Sequence, residues 1–171
     1  MNAGRRSIAG GIGVWLLGMT LLVMPVVSQE VRAADAQARV VYHADFADPR
    51  RFSAMLTSIR NMAMHYQDQL LDADIRIVVV SHGIRFVTDD PLEGTPFATD
   101  AELAAARDDL RGRLKGLMSV HGVEVELCDI TRRAAGLPRE ALYEEVGTVP
   151  SGVVRLAELQ SEQGFAYLKV E

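Results

Sequence analysis

The sequence predicts an α/β domain: a three-layer α/β/α sandwich around a mostly parallel sheet of about five strands. Two observations predict it. Short β-branched runs alternate with amphipathic stretches of helical period through residues 37–171, the pattern of successive βα units. One of those runs, Ile75 with Ile77, Val78, Val79 and Val80, is almost continuously apolar, as a strand covered on both faces must be. A chain of 171 residues with 49% hydrophobic side chains is the size of one domain and can fill its core.

Ala38 to Ala44 reads as the first strand, because Val40, Val41 and Tyr42 are β-branched or aromatic and precede a polar turn. Asp48 caps the following helix and Pro49 takes its first position, where a missing N–H costs nothing. Phe52, Met55, Leu56, Ile59, Met62, Ala63 and Tyr66 then recur at three- and four-residue spacing and make one core-facing stripe. A turn at residues 72–74 leads into the apolar strand. Gly83, Pro91, Gly94 and Pro96 punctuate residues 82–97, which read as a long functional loop in which Ile84 to Val87 form at most a short turn of helix or strand.

Thr99 and Glu102 make a capping-box pattern at the start of a second long helix. That helix turns Leu103, Leu110, Leu114, Leu117 and Met118 inward and ends near Gly122. Val123, Val125 and Leu127 alternate with Glu124 and Glu126, which fits a strand with one face fully buried, or one near a sheet edge or subunit contact. Short helical pieces follow around Gly136 and Pro138, and Val146 to Val149 suits a further short strand. Ser151 caps a last helix with Val153, Val154, Leu156, Ala157 and Leu159 apolar, stopping at Gly164. Phe165, Tyr167 and Leu168 make the terminal strand.

Residues 1–36 read as an address. Arg5 and Arg6 precede an uncharged apolar run from Ser7 to Gln29, and small residues follow at Ala33, Ala34 and Ala36. This is the order of a secretory signal, with cleavage after Ala33 or Ala36. The paired arginines make only an incomplete twin-arginine motif. The apolar run is also long enough for an uncleaved signal anchor, at roughly 20 residues. The expected location is periplasmic or otherwise exported, with a membrane-anchored domain outside the cytoplasm as the alternative.

The formal charge is −5 and the pI about 5.4. Removal of residues 1–36 leaves 15 positive and 21 negative side chains, or −6. There is no basic footprint, so nucleic acid is not an expected partner. Gly10, Gly11 and Gly13 fall inside the leader and form no nucleotide loop, and Ser81 with His82 lacks the glycine spacing of a nucleophile elbow.

In open α/β sheets, ligands gather beyond the carboxyl ends of the strands. The expected strands end in His43 and Asp45, in His82 and Gly83, and in Cys128. Cys128 is the single cysteine and cannot form an internal disulfide. A thiol at the start of a helical segment has its thiolate stabilised by the helix dipole and by nearby cations, here Arg132 and Arg133, while Asp129 opposes them. The alternative is a small buried hydrophobe. His43 and His82 are candidate proton carriers, and Gly83 permits close backbone approach by a ligand. For either histidine alone, a hydrogen-bonded structural residue is the more ordinary reading. His43, Asp45, His82 and Cys128 lack close metal-ligand spacing, so no metal site is expected.

These residues carry a resemblance. VELCDIT at residues 125–131, GLP at 136–138, VPSGVV at 149–154, LQ at 159–160 and GFAYL at 164–168 stand in an order that resembles the C-terminal half of the DsrE/DsrF-like (YchN-like) sulfur-relay family. VVSHG at residues 79–83 is similar to the valine-rich strand ending in His-Gly of the same group. The resemblance covers nearly all of residues 37–171. It implies assembly into trimers or hexamers and sulfur transfer through a cysteine persulfide. Carried over by position, Cys128 is the persulfide carrier and His82 with Gly83 part of its pocket. Such chemistry needs no cofactor, and its partners are sulfur donors and acceptors, either proteins or small thiols. The expected function is thus an exported sulfur carrier. The alternative is a non-catalytic oligomeric module of the same fold that binds a small ligand at the strand ends.

Overall fold

The computed structural model describes residues 36–171; the expected leader lies, up to residue 35, outside the described residues. In chain order come β1 (Ala38–Ala44), α1 (Pro49–Asp68), β2 (Ala73–Val79), a 3-10 turn (Ser81–Phe86) and α2 (Ala101–His121). Then follow β3 (Glu124–Cys128), α3 (Asp129–Ala134), a second 3-10 turn (Arg139–Ala141), β4 (Gly147–Val149), α4 (Gly152–Ser161) and β5 (Ala166–Leu168).

The five strands form one sheet in the order β4-β3-β2-β1-β5, and every neighbouring pair is parallel. From β1 to β4 the chain steps in one direction, so right-handed crossovers put α1 and α2 on one face. The return from β4 to β5 crosses the whole sheet the other way, and α4 covers the opposite face. The result is the expected three-layer α/β architecture, with the apolar β2 at the sheet's centre.

Alternation along each strand divides the core in two. Tyr42, Ile77 and Leu127 face the long helices and meet Phe52, Met55, Leu56 and Leu114. Val41 and Val78 face α4 and meet Leu156, Leu159 and Phe165. The second face is smaller and carries more charge. There Arg76 binds Asp74 at 3.0 Å and lies 5.2 Å over the Phe165 ring. Arg155 of α4 makes a two-pronged pair with Glu126 of β3 at 2.8 and 3.0 Å. That pair explains the alternating pattern of β3: it stands one strand in from the edge, and Glu126 is covered by a partner rather than by water.

The helix ends largely follow the expected chemistry. Asp48 accepts from the Arg50 and Arg51 amides at 2.8 and 3.2 Å, Gly122 takes the left-handed conformation at φ 67°, and Ser151 accepts from Val154. Three expectations are corrected. Asp100, not Thr99, caps α2, accepting from the Leu103 amide at 2.8 Å; Thr99 instead accepts from Arg107. Helix α4 stops at Ser161, before Gly164, and its Val153 and Val154 are exposed. Residues 82–97 are not a free loop: Ile84, Phe86, Val87 and Leu92 are buried in the main core, and Arg107 ties the Arg85 and Thr88 carbonyls to α2. Among the described residues no helix is long and apolar enough to cross a membrane.

Candidate functional site at the end of β3

Cys128 ends β3 and stands immediately before α3. It is 4% exposed. The first turn of α4 closes over it, because Gly152 comes so near that an added Cβ would meet the Cys128 Cβ at 3.0 Å. Two helix starts therefore converge on one sulfur. Burial pushes the thiol up, but the Gly152 amide, the Thr131 amide and hydroxyl, and the Ile130 amide together outweigh it and hold the thiol below its ordinary range.

The stabilisation comes from amides and a hydroxyl rather than from the expected cations. Arg132 is committed to Asp129 at 2.7 Å and to the Leu137 carbonyl at 2.6 Å. Arg133 pairs with the same carboxylate at 3.1 Å. Asp129, expected to oppose the thiolate, is thus neutralised by both arginines.

Thr131 is the residue that sequence reasoning passed over. Its hydroxyl accepts the Ser81 amide at 3.0 Å, and Ser81 holds a left-handed backbone at φ 51° that a non-glycine residue adopts at a cost. The available signal was position. Thr131 is the third residue of the helix that Cys128 precedes, where a side chain faces back toward the cap.

The remaining candidates fall into separate places. His82 sets its ring edge against Phe97, with centroids 5.4 Å apart, while its Nδ1 lies 3.2 Å from the Ser81 hydroxyl. Gly83 packs against the backbone of the neighbouring strand end: an added Cβ would stand 2.1 Å from the Ala44 carbonyl oxygen. His43 and Asp45 lie at the end of β1, across β2 from Cys128. His43 Nδ1 is 3.1 Å from the Tyr167 hydroxyl of β5, and its buried Nε2 has no hydrogen-bond partner among the described residues. Burial depresses its pKa, with Asp45 opposing and Lys169 and Arg51 assisting. This end of the sheet is its topological switch point, and near it the Val170 carbonyl accepts from Arg51 at 2.5 Å. The structure thus joins Ser81, Cys128, Thr131 and Gly152, and leaves His43 with Asp45 as a second group.

Among the described residues no cluster of three or more His, Cys, Asp or Glu side chains is placed to hold a metal ion. A cleft of about 410 Å³ opens at the opposite, amino end of the strands, lined by Tyr66, Asp72, Ser119 and His121 among others. None of the candidate residues reaches it.

The chain matches the DsrE/DsrF-like family over residues 38–170. Among solved structures it is similar to MTH1491, a protein of unknown function from Methanobacterium thermoautotrophicum. The identity is 26% and the TM-score 0.58, over 77% of this chain and 98% of that one. The ychN protein from E. coli aligns at 17% identity and a TM-score of 0.49, with the same coverage of 77% and 98%. No curated protein matches. The match takes in all five strands and both helix starts around Cys128, and the chain belongs to the DsrE/DsrF-like family.

Proposed function

We propose that this protein is a sulfur carrier that relays persulfide sulfur through Cys128. The observation that carries the reading is the environment of the one cysteine in a family associated with sulfur relay: a strand-end thiol held below its usual range by amides of two helix starts. In loading, the Cys128 thiolate attacks the outer sulfur of a donor persulfide. A bond forms from Sγ to that sulfur, the donor's S–S bond breaks, and the donor leaves as a thiolate. In delivery, an acceptor thiolate attacks the same outer sulfur and the electron pair returns to Sγ. No cofactor enters either step. A residue only 4% exposed favours small thiols and polysulfides, or protein partners that shift the first turn of α4.

The leader read at residues 1–36 places the domain outside the cytoplasm in this proposal, either released or tethered. Exposed Val153, Val154, Tyr167 and Leu168 support assembly of identical chains into a trimer or hexamer. The burial of Cys128 also favours a second reading, a non-catalytic module that binds a small ligand through strand-end amides.

Intact mass measurement of wild type and Cys128→Ala after treatment with polysulfide separates the two. The carrier reading expects a reductant-sensitive gain of one sulfur atom on wild type alone. A folded, reduced protein that gains nothing leaves the binding module. The same spectrum reports cleavage after Ala33 or Ala36.

A further inference from the structure

We propose that the cleft at the amino end of the strands is a second binding site, for a small alkylammonium cation. Asp72 and the unpaired carbonyls that end α2 take its charged head, and Leu71 and Val120 take its alkyl part. The inference goes beyond the carrier reading, because none of the residues around Cys128 lines this cleft.

The topology makes this edge electronegative. Between parallel strands the crossover helix runs back against the strand direction, so α1 and α2 both end at the amino edge of the sheet. They are 20 and 21 residues long, and each C-terminus carries roughly half a negative charge. Both ends line the cleft, with Tyr66 and Gln67 from the last turn of α1 and Ser119, Val120 and His121 from that of α2. His121 Nδ1 stands 3.1 Å from Gln67 Oε1 and joins the two helices there. An amide oxygen only accepts, so Nδ1 carries the hydrogen and a neutral His121 keeps Nε2 as an acceptor.

Acceptors there outnumber donors. The first two amides after α2, those of Gly122 and Val123, both go to the Leu117 carbonyl. The last carbonyls of that helix, on residues that line the cleft, thus receive no N–H from the chain that follows. Asp72 accepts the Gln37 amide on its backbone oxygen at 2.8 Å, but its carboxylate makes no hydrogen bond or ion pair among the described residues. No lysine or arginine lines the cleft among those residues. The arginines of this edge stand on the sheet's other face, Arg39 in line with Val41 and Arg76 with Val78, both of which meet α4. There Arg39 donates to the Gln163 carbonyl at 3.0 Å, and Arg76 binds Asp74 and Glu124 at 3.0 and 3.1 Å. The negative field of the cleft is left without a cation of the protein's own.

Size and lining set the class of ligand. A volume of about 410 Å³ suits a small molecule, since such sites run from roughly 300 to 1,000 Å³. Buried Ala63 and Ile75, with Leu71 and Val120, give the cleft an apolar lining, which a bare metal ion would not use and an alkyl chain would. Val120 is left 70% exposed. Leu70 supplies a further observation. It holds a left-handed backbone at φ 57° although it is 94% exposed, so its own side chain gains no packing for that strain. What the turn achieves is to fold Leu71 back over the end of α1, its amide on the Tyr66 carbonyl at 2.9 Å, as one wall of the cleft.

The test titrates the full chain with hexylammonium chloride in a calorimeter, with hexanol as the uncharged control. Wild type is compared with Asp72→Asn, Val120→Lys and Cys128→Ala. Asp72 and Val120 are exposed, so neither of those substitutions disturbs the core, and circular dichroism confirms the fold. Wild type is expected to bind hexylammonium saturably and hexanol at least roughly tenfold more weakly, the factor that one charge-assisted hydrogen bond carries. Asp72→Asn weakens hexylammonium by a similar factor, and Val120→Lys weakens it as well by setting a like charge at the mouth. Cys128→Ala binds as wild type does. Absence of saturable binding to the folded wild type overturns the assignment. So does equal binding of hexanol, or a Kd that neither Asp72→Asn nor Val120→Lys moves. None of these results bears on sulfur loading at Cys128, so the two sites stand or fall separately.

Discussion

Gly152 and Cys128 meet where a side chain would otherwise stand: a Cβ on Gly152 would lie 3.0 Å from the Cys128 Cβ and 2.6 Å from Val80 Cγ2. The absence of that one carbon lets the first turn of α4 reach the end of β3. It also brings the Gly152 amide to the sulfur, the leading favourable influence on the thiolate. Packing and chemistry depend on the same missing atom.

Gly152→Ala therefore has two linked effects. Valine and cysteine side chains cannot swing aside freely, so α4 is displaced, at a cost of about 1–3 kcal/mol for an overpacked contact. The Gly152 amide retreats with it, and the thiol titrates higher than in wild type. Urea unfolding and a thiolate titration check the two halves. A loss of stability with an unmoved midpoint would show that the amide contributes nothing to the thiolate.

Gly83→Ala tests a glycine held by close packing. The new carbon would be 2.1 Å from a backbone oxygen, that of Ala44, which also accepts the Val80 amide at 2.9 Å and cannot move without opening the β1 and β2 ends. The expected cost is about 3 kcal/mol, or a Tm lower on the order of 10 °C. Cys128 chemistry in the fraction that remains folded is expected to be near wild type. A stable Gly83→Ala protein that loses sulfur loading would return Gly83 to the pocket.

The parts of this molecule that were readable in advance are those decided locally. The stripe from Phe52 to Ala63, the Asp48 cap before Pro49, and the Gly122 stop each follow from a few neighbouring residues, and the structure places them as expected. Cys128 at a strand end before a short helix was readable for the same reason. What escaped was decided by distant partners. Gly83 packs against the Ala44 carbonyl at the end of another strand, a contact its own neighbours do not announce. Residues 82–97 read as a loop because Gly83, Pro91, Gly94 and Pro96 interrupt any period, yet Ile84, Phe86, Val87 and Leu92 are buried in the main core. Thr131 has only the mark of its position, third in the helix after Cys128, and nothing near it announces its bond to the Ser81 amide 50 residues earlier.

The ion pair between Glu126 and Arg155 fastens α4 to the charged face of the sheet. Both side chains are mostly covered, with 15% and 18% of their surface exposed. Arg155→Leu leaves the Glu126 carboxylate poorly solvated and unpaired, and about 2 kcal/mol of stability is expected to go with it. The double variant Glu126→Leu with Arg155→Leu is expected to recover most of that loss, because the uncompensated charge is gone. Chemical denaturation of the two single variants and the double measures the coupling directly. Additive losses would mean that the pair is a surface contact of little energetic weight.

His43 gives the domain a pH dependence with a definite sign. Its pKa is lowered from 6.5, first by burial, with Asp45 pulling up and Lys169 and Arg51 pushing down. The unfolded chain therefore binds a proton on His43 more readily than the folded one. Between the unfolded value and the lower folded value, unfolding takes up protons, so stability rises with pH through that window. The contribution is whole above about 6.5 and is lost as the pH falls through the folded pKa. In the imidazolium both ring nitrogens carry a hydrogen, so the buried Nε2, without a partner among the described residues, would then hold an unsatisfied N–H. His43→Phe fills similar space without a titrating group and is expected to flatten that part of the curve, while giving up the contact of Nδ1 with the Tyr167 hydroxyl. Urea midpoints of wild type and variant at pH 5 and pH 8 check the difference. Equal slopes in the two proteins would place the proton uptake elsewhere in the fold.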